Sequence, residues 1–429
     1  MDKLERARSE IDEIDREMAE LFRRRMEAVR AVAEYKVSHG LAVEDPYREA
    51  EILARNGQYV DGEFRTLYDH FQRSVMDISK TYQSMLRNSG HTVRMELGPR
   101  SYDVTLERGC LHRAGELFDL ARKVLIVTDD GVPAQYARAV ADQCRDACVV
   151  TVPQGEASKS IDVLQMLLER MTCHGMTRND CVAAVGGGMV GDLAGLAASL
   201  YLRGVDFYNV PTTLLSQVDA SVGGKTAINF AGFKNTVGTF YQPRGVLLDP
   251  DLLATLPRRQ LSAGMAESVK MAATLDPELF ALFEQDDPFA HLQEIIRRSV
   301  ACKIRVVAAD ERESGVRRVL NFGHTIGHAI ESADRSLLHG ECVALGMLPM
   351  CAGAVRERLL SVYAKLNLPT SRELDPAEIK SYMEHDKKRV QAMLLAVEVP
   401  EIGRYTIRPV AVEELASRLT CITRGADTP

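Results

Sequence analysis

Two histidines four residues apart, His324 and His328, lie in the run NFGHTIGHAIE from Asn321 to Glu331, which otherwise reads as buried helix. A spacing of four places both imidazoles on one helix face, as in paired zinc ligands. The glutamate that follows the first histidine in hydrolase sites of that kind is absent. Two metal ligands, one ligand beside one acid–base group, or two packed core residues all satisfy the spacing. Glu267, in AGMAESVKMAATL, and His339, in LHGECVALGM, extend the set. A glutamate among Gly, Met, Ala and Val requires a partner if buried. One carboxylate with two imidazoles leaves coordination positions open for a substrate, as catalytic zinc requires.

A second group of reactive types is denser. VPTTLLSQVDASVGGKTAINFAGFKN (210–235) packs Thr212, Thr213, Asp219, Lys225, Lys234 and Asn235 among glycines and alanines. A lone exposed lysine is ordinarily just solvated. A glycine-cradled lysine beside amide and hydroxyl donors reads instead as a phosphate site. Upstream, NDCVAAVGGGMVGDLAGLAASLYLRG (179–204) reads as strand, glycine turn and helix. Gly186, Gly188 and Gly191 satisfy G-x-G-x-x-G in that context, which favours a dinucleotide over a plain packing turn. The pattern departs from the usual order in one respect. The acid-ended strand, KVLIVTDD with Asp129 and Asp130, precedes the glycines instead of following them by about twenty residues.

A third cluster lies near the N-terminus. Residues 2–38 hold no proline, and Leu4, Ile11, Ile14, Met18, Leu21, Ala28, Val32 and Tyr35 form a heptad-like stripe. One helix of that length extends about 55 Å. Gly40 supplies a stop, Pro46 opens a second helix to about Asn56, and a third is predicted from Phe64 to Leu86. Three helices so unequal leave the stripe uncovered, which predicts a homodimer or a higher homo-oligomer. Arg23 and Arg24 read as a solvated face, but Arg25 falls on the apolar seam, where a charge is costly unless paired. Arg8, Lys36 and Arg48 lie on or beside that face without an equal set of carboxylates, so a small polyanionic ligand is expected.

These clusters sit in a chain of 429 residues, long enough for two or three domains. Its 46% apolar and 26% charged residues describe a globular protein, and a net charge of −7 gives no reason to expect nucleic acid. Nine cysteines without a C-x-x-C pair read as reduced thiols. The start, MDKLERARSEID, lacks the apolar core of a signal peptide, and no apolar run reaches bilayer length. A cytoplasmic protein with no membrane partner is expected. Asn88-Ser89-Gly90 marks a linker, strand-like alternation begins near Thr92, Cys148–Val152 reads as a strand, and the pattern turns helical beyond Pro257.

Longer motifs carry two resemblances. LERARSEIDEIDREMAELFRRRMEAVRAVAEYK, GLAVEDPYREAEIL and VMDISKTYQ, within residues 1–86, resemble the all-helical chorismate mutase family. That resemblance implies site residues Arg8, Arg25, Lys36, Asp45, Arg48, Ser79 and Gln83, and an intertwined dimer in which Arg8 reaches the partner's site. The implied rearrangement of chorismate to prephenate is unimolecular. The site has only to hold the dicarboxylate compactly and stabilise charge on the ether oxygen, by arginine forks and by donors on Lys36 and Gln83.

Residues 93–429 resemble 3-dehydroquinate synthase through GGGMVGDLAG, PTTLLSQVDASVGGKTAIN, GMAESVK, RRVLNFGHTIGHAIE and LHGE, in that order. The resemblance implies Zn2+, or Co2+ in its place, on Glu267, His324 and His339, with His328 over the substrate near its phosphate end. It implies NAD contacts at Asp129, Glu156, Lys159, Gly187, Gly188, Asp192, Thr212, Thr213, Asp219, Lys225, Lys234 and Thr255. Substrate contacts fall on Lys225, Asn235, Lys270, Lys303, Arg317, Asn321, His328 and one of Lys387 or Lys388, while Arg203 completes the neighbouring subunit's phosphate site. The implied reaction closes a seven-carbon keto-sugar acid phosphate into 3-dehydroquinate with loss of phosphate. NAD is turned over within each cycle and zinc acts as a Lewis acid. Two departures stand out: Gly131 replaces a side chain that some members carry near the adenosine, and RVQAMLLAVEVPEIG after HDKK lacks a common glycine turn.

The expected architecture is multidomain. An all-α mutase domain (1–87) and a linker (88–92) precede an α/β Rossmann-like NAD domain (93–255) and an α-helical metal- and substrate-binding domain (256–429). The expected function is a bifunctional enzyme of aromatic amino-acid biosynthesis acting on two small-molecule substrates, a heptulosonate phosphate and chorismate. Two alternatives stand beside it: a first domain that only senses chorismate or prephenate, and a second part that is another sugar-phosphate cyclase.

Overall fold

The computed structural model describes residues 2–38, 41, 45–60, 62–88, 91–384 and 393–423. The expected contact at Lys387 or Lys388 lies outside the described residues. The chain divides into two compact units, Met1–Gly90 and His91–Pro429.

The first unit holds α1 (Lys3–Ser38), α2 (Pro46–Asn56) and α3 (Arg65–Asn88). Helix α2 starts where the sequence requires, with Pro46 in the first turn and the Asp45 carboxylate accepting the Arg48 N–H at 3.0 Å. Val29 and Ala33 of α1 are buried, as are Val75 and Met76 of α3, the helix it packs against. Leu4, Ile11, Ile14, Met18 and Leu21 of the same stripe remain exposed. The apolar periodicity therefore runs far beyond what the unit itself can cover.

The second unit is built on a seven-stranded sheet of β1 (His91–Met95), β2 (Tyr102–Leu106), β3 (Lys123–Asp129), β4 (Asp146–Val152), β5 (Cys181–Gly186), β6 (Asp206–Pro211) and β9 (Gly245–Leu248). Its order is β1-β2-β9-β6-β5-β3-β4; β1 and β2 pair antiparallel and every other pair is parallel. Strand β5 is buried throughout and β3 nearly so, which is why both read as unbroken apolar runs rather than alternating ones. Renumbering β3, β4, β5, β6 and β9 alone and reading from the β4 edge gives the order 2-1-3-4-5, whose reversal lies between β3 and β5. Asp129 ends β3 and Gly186 ends β5. The acid that seemed misplaced in the sequence thus flanks the same crevice as the glycine turn.

A separate hairpin, β7 (Lys225–Phe230) and β8 (Phe233–Phe240), leaves this sheet, and helices Arg258–Leu275, Leu292–Ala309, His324–Ala333 and His339–Met347 follow. A second hairpin, β10 (Met393–Glu401) with β11 (Arg404–Ala411), adds two strands to the mainly helical segment that follows. Its Leu394, Ala396, Val399 and Val410 enter one hydrophobic cluster with Met95, Tyr102, Met265, Val269, Ile295 and Phe322. Asn321 is not one turn earlier on the His324 helix, as NFGHTIGHAIE suggested. It ends a 3₁₀ turn, Val316–Asn321, and Gly323 at φ +79° separates that turn from the helix. Among the described residues no helix is long and apolar enough to cross a membrane.

Candidate active site

Glu267 and Lys270 lie one turn apart on Arg258–Leu275, both completely buried and joined as an ion pair. Glu267 Oε1 is 3.2 Å from His339 Nε2 and 3.5 Å from His324 Nε2. His324, His328 and His339 each offer a nitrogen, and these three atoms lie within 4.8 Å of one another. Three helices meet here because two glycines let them. A Cβ on Gly340 would stand 1.9 Å from the Ala263 carbonyl oxygen, and one on Gly346 2.1 Å from that of Gly323. His328, on the same helix face as His324 but exposed, sets its ring 5.2 Å from that of His324.

Neither Glu267 oxygen completes a well-directed hydrogen bond among the described residues, although Lys270 and two imidazoles stand at ion-pair range. A buried carboxylate with lone pairs to spare, facing two imidazole nitrogens, fits a divalent cation. Burial would raise the Glu267 carboxyl, but Lys270, His324 and His339 overcome it and hold it well below the usual range. Burial, reinforced by Lys270, depresses His324 well below its ordinary value, leaving the neutral ring that a metal binds. For His339, burial is outweighed by Glu267 and Glu331, which lift the ring to about 10.

The expected substrate residues Lys303 and Lys270 both act electrostatically on Asp219, and Lys270 also on Glu267. Lys303, buried on Leu292–Ala309, donates to the backbone oxygen and the carboxylate of Asp219. Burial pushes this ammonium down to about 8 against the pull of Asp219. Arg317 is buried and donates to the carbonyls of Gly223, at 3.2 Å, and Glu311. Gly223, at φ +109°, has no room for a side chain, since a Cβ there would meet the guanidinium at 2.5 Å. Lys225 pairs with Glu313, and Asn321 Nδ2 donates to the same carboxylate at 2.7 Å. Two expected anion-binding groups thus converge on one internal carboxylate. Arg203 is exposed in the turn Tyr201–Arg203 at φ 69°, and no described contact joins it to these lysines.

On the nucleotide side, Gly187 and Gly188 open helix Gly188–Leu200 without a side-chain cap, so its first amides face the crevice. Thr213 and Ala220 press on this turn: a Cβ on Gly187 or Gly188 would meet them at 3.2 Å. The Thr212 N–H donates to the Gly186 carbonyl at 3.0 Å. Asp129 accepts the Gly131 N–H at 2.9 Å, and burial raises its carboxyl. Lys159 donates to Asp192, at 2.7 Å, and to the Asn235 side chain; Asn229 links Glu156 to the Asn235 backbone, each at 2.9 Å. Lys234 reaches Glu331 at 2.9 Å, and Thr255 bonds the Tyr136 hydroxyl at 3.0 Å. A bare helix N-terminus beside a buried acid fits a dinucleotide.

In the first unit, Arg25 donates to the Ser79 hydroxyl and, at 3.4 Å, to the Val75 carbonyl; burial lowers its pKa. Gln83, one turn beyond Ser79, is buried with one amide atom lacking a hydrogen-bond partner among the described residues. Arg48 pairs with Glu51 at 2.6 Å. Arg8 lies seventeen positions before Arg25 on one unbroken helix, a distance of about 25 Å. Lys36 lies eleven positions beyond it, about 16 Å away.

Two carboxylates at the site, Glu313 and Glu331, were not among the expected residues. Glu331 follows His328 by three, so helical spacing could have flagged it. Glu313 sits in a loop at φ 59° with no periodicity to betray it.

Known protein families match segments of both units. Residues 149–263 match the family model for the 3-dehydroquinate synthase N-terminal domain and residues 264–389 that for the C-terminal domain. Residues 7–84 match chorismate mutase type II. A 3-dehydroquinate synthase of Streptococcus pneumoniae is 41% identical over 351 residues, covering 76% of this chain and 99% of that protein. One of Lactiplantibacillus plantarum is 41% identical, covering 74% and 95%. Among solved structures, 2-deoxy-scyllo-inosose synthase complexed with carbaglucose-6-phosphate, NAD+ and Co2+ superposes with a TM-score of 0.71 at 27% identity, covering 76% of this chain and 99% of that one. A 2-epi-5-epi-valiolone synthase of Streptomyces hygroscopicus, with NAD+ and Zn2+ bound, gives 0.69 at 28%, covering 76% and 96%.

Proposed function

The chain belongs to the 3-dehydroquinate synthase family and carries a type II chorismate mutase domain ahead of it, and from that premise we propose how its residues divide the work. It is a bifunctional enzyme of the shikimate pathway. The synthase half converts a heptulosonate 7-phosphate into 3-dehydroquinate and phosphate; the mutase half converts chorismate into prephenate. Residues 1–87 form the mutase, 93–255 bind the nucleotide and 256–429 the metal and substrate.

Glu267, His324 and His339 hold a zinc ion, and the crevice between β3 and β5 holds NAD. When bound, zinc supplies Lewis acidity toward an alcohol or carbonyl oxygen, and NAD accepts and returns a hydride. The observation that carries this reading is Glu267, a buried carboxylate with unspent lone pairs facing two imidazoles. Lys303 and Arg317 grip the substrate carboxylate, because both are buried cations against which only an anion can be placed without cost. Lys225 and Asn321 release Glu313 to take substrate groups, and Asn235 holds the departing phosphate. His328, exposed beside His324, is free of ligation duty and relays the proton. Lys270 keeps Glu267 charged and contacts the substrate from beneath.

In the mutase half, Arg25 with Ser79 and Gln83 forms one wall of the site. Arg8, too far along the same helix to reach it, serves the site of a second chain. The protein acts as a homo-oligomer in the cytoplasm.

A cyclase making a non-aromatic cyclitol is disfavoured by the paired carboxylate grip and by the higher identity to 3-dehydroquinate synthases. Turnover of sedoheptulose 7-phosphate but not of the heptulosonate would overturn that assignment. The deciding experiment assays the purified protein with both substrates, with and without a chelator. Chelation abolishes dehydroquinate formation and leaves chorismate disappearance intact, since a pericyclic rearrangement needs no metal. Loss of both activities, or of neither, contradicts the division.

A further inference from the structure

One charged side chain at the metal-facing helices has no part in the roles above. Glu331 lies seven residues after His324 on His324–Ala333, hence on the same face, and its side chain is only 21% exposed. Glu331 Oε2 stands 3.2 Å from His339 Nδ1, while Glu331 Oε1 accepts from Lys234 Nζ at 2.9 Å. His339 turns its other nitrogen, Nε2, toward Glu267 at 3.2 Å. Lys234 and Asn235 sit together near the turn of the β7–β8 hairpin, and Asn235 is held by Lys159 from the nucleotide side. One carboxylate therefore spans a face of the metal cluster and a hairpin that leads to the nucleotide crevice.

An ion pair with a half-exposed lysine contributes little by itself. Glu331 makes two different contacts at once, and the one to His339 has a chemical consequence. A ring nitrogen fixed as donor to a carboxylate reserves the opposite nitrogen for a cation, which on binding displaces the proton that nitrogen otherwise carries toward Glu267.

We propose that Glu331 is a positioning residue that fixes the tautomer of His339 for metal binding and ties the Lys234–Asn235 end of the hairpin to the metal centre. This rests on the zinc reading of Glu267, His324 and His339. Metal uptake and hairpin docking are then coupled: whatever loosens the hairpin weakens the metal, and loss of the metal loosens the hairpin.

The test measures zinc affinity of the full chain by competition with a chelating dye, and hydrogen exchange across residues 225–240, with and without zinc. Glu331→Gln is expected to weaken zinc binding by about tenfold or more and to speed exchange in the hairpin. Lys234→Met, which alters an exposed side chain and spares the core, is expected to speed hairpin exchange and weaken zinc several-fold. The double variant binds zinc no more weakly than Glu331→Gln alone. Zinc slows hairpin exchange in the wild type and does not do so in Glu331→Gln. Should Glu331→Gln fail to fold, Lys234→Met decides: unchanged zinc affinity and exchange overturn the inference. Wild-type zinc binding with Glu331→Gln within twofold of it overturns this inference alone, whereas a wild type that takes up no zinc overturns the metal reading and this inference with it.

Discussion

Gly340→Ala probes how the proposed metal ligands are brought together. The added Cβ would stand 1.9 Å from the Ala263 carbonyl oxygen, 2.6 Å from its carbon and 3.0 Å from its Cα, where real Cβ contacts do not fall below 3.0 Å. All three atoms are backbone, so no side chain can swing aside. The helix His339–Met347 must move away from Arg258–Leu275 by about 1 Å, the difference between 1.9 and 3.0 Å. Overpacking of this kind costs about 1–3 kcal/mol. Zinc ligand distances tolerate only about 0.2 Å. His339 immediately precedes Gly340, so the shift passes directly to a proposed ligand whose partner, Glu267, sits on the opposing helix. The expected result is zinc affinity reduced by at least about tenfold, a Tm lowered by a few degrees and unchanged chorismate mutase turnover. Dye competition, thermal unfolding and the mutase assay measure these in one preparation. Wild-type zinc affinity in Gly340→Ala would refute the claim that glycine-permitted helix contact sets the site.

Other predictions concern individual side chains. His324→Ala loses zinc on dialysis and His328→Ala keeps it while losing dehydroquinate formation, as metal analysis and the synthase assay will show. The Lys303 ammonium is present below pH about 8 and lost above it, so the KM for the heptulosonate should rise through that range with zinc content unchanged; a flat KM between pH 7 and 9 contradicts its role. Arg25→Ala should lower mutase kcat/KM by at least about a hundredfold, the scale of losing a preorganised charge-stabilising donor, and leave the synthase untouched. If chorismate still disappears at the wild-type rate, the seam arginine is structural. A wild-type chain without mutase turnover whose synthase responds to prephenate would instead make the first domain a sensor.

Much of this molecule follows from local sequence. The three helices of residues 3–88 and the strand–turn–helix at 181–200 come from periodicity and breakers, which act over a few residues. The uncovered stripe on α1 was equally legible, because a 36-residue helix outruns its two companions. The candidate ligands could be named by type and spacing, but spacing alone left His324 and His328 equivalent. The packing of three helices brings Glu267 to 3.5 Å from His324 and 3.2 Å from His339 and leaves His328 exposed, with a ring nitrogen still in the same group of three within 4.8 Å. The same holds for Asp129, whose place before the glycines looked anomalous until the parallel order put the reversal between β3 and β5. Asn321 was misread as helical because one glycine at positive φ interrupts a run that is otherwise apolar and regular. Glu313 and Glu331 were missed since a carboxylate is ordinarily a solvated charge, and only partners distant in the chain, Lys225 and Lys234, give each its meaning. Residue type and short-range spacing thus determined which chemistry was available; long-range contacts, invisible to any local pattern, decided which atoms meet to perform it.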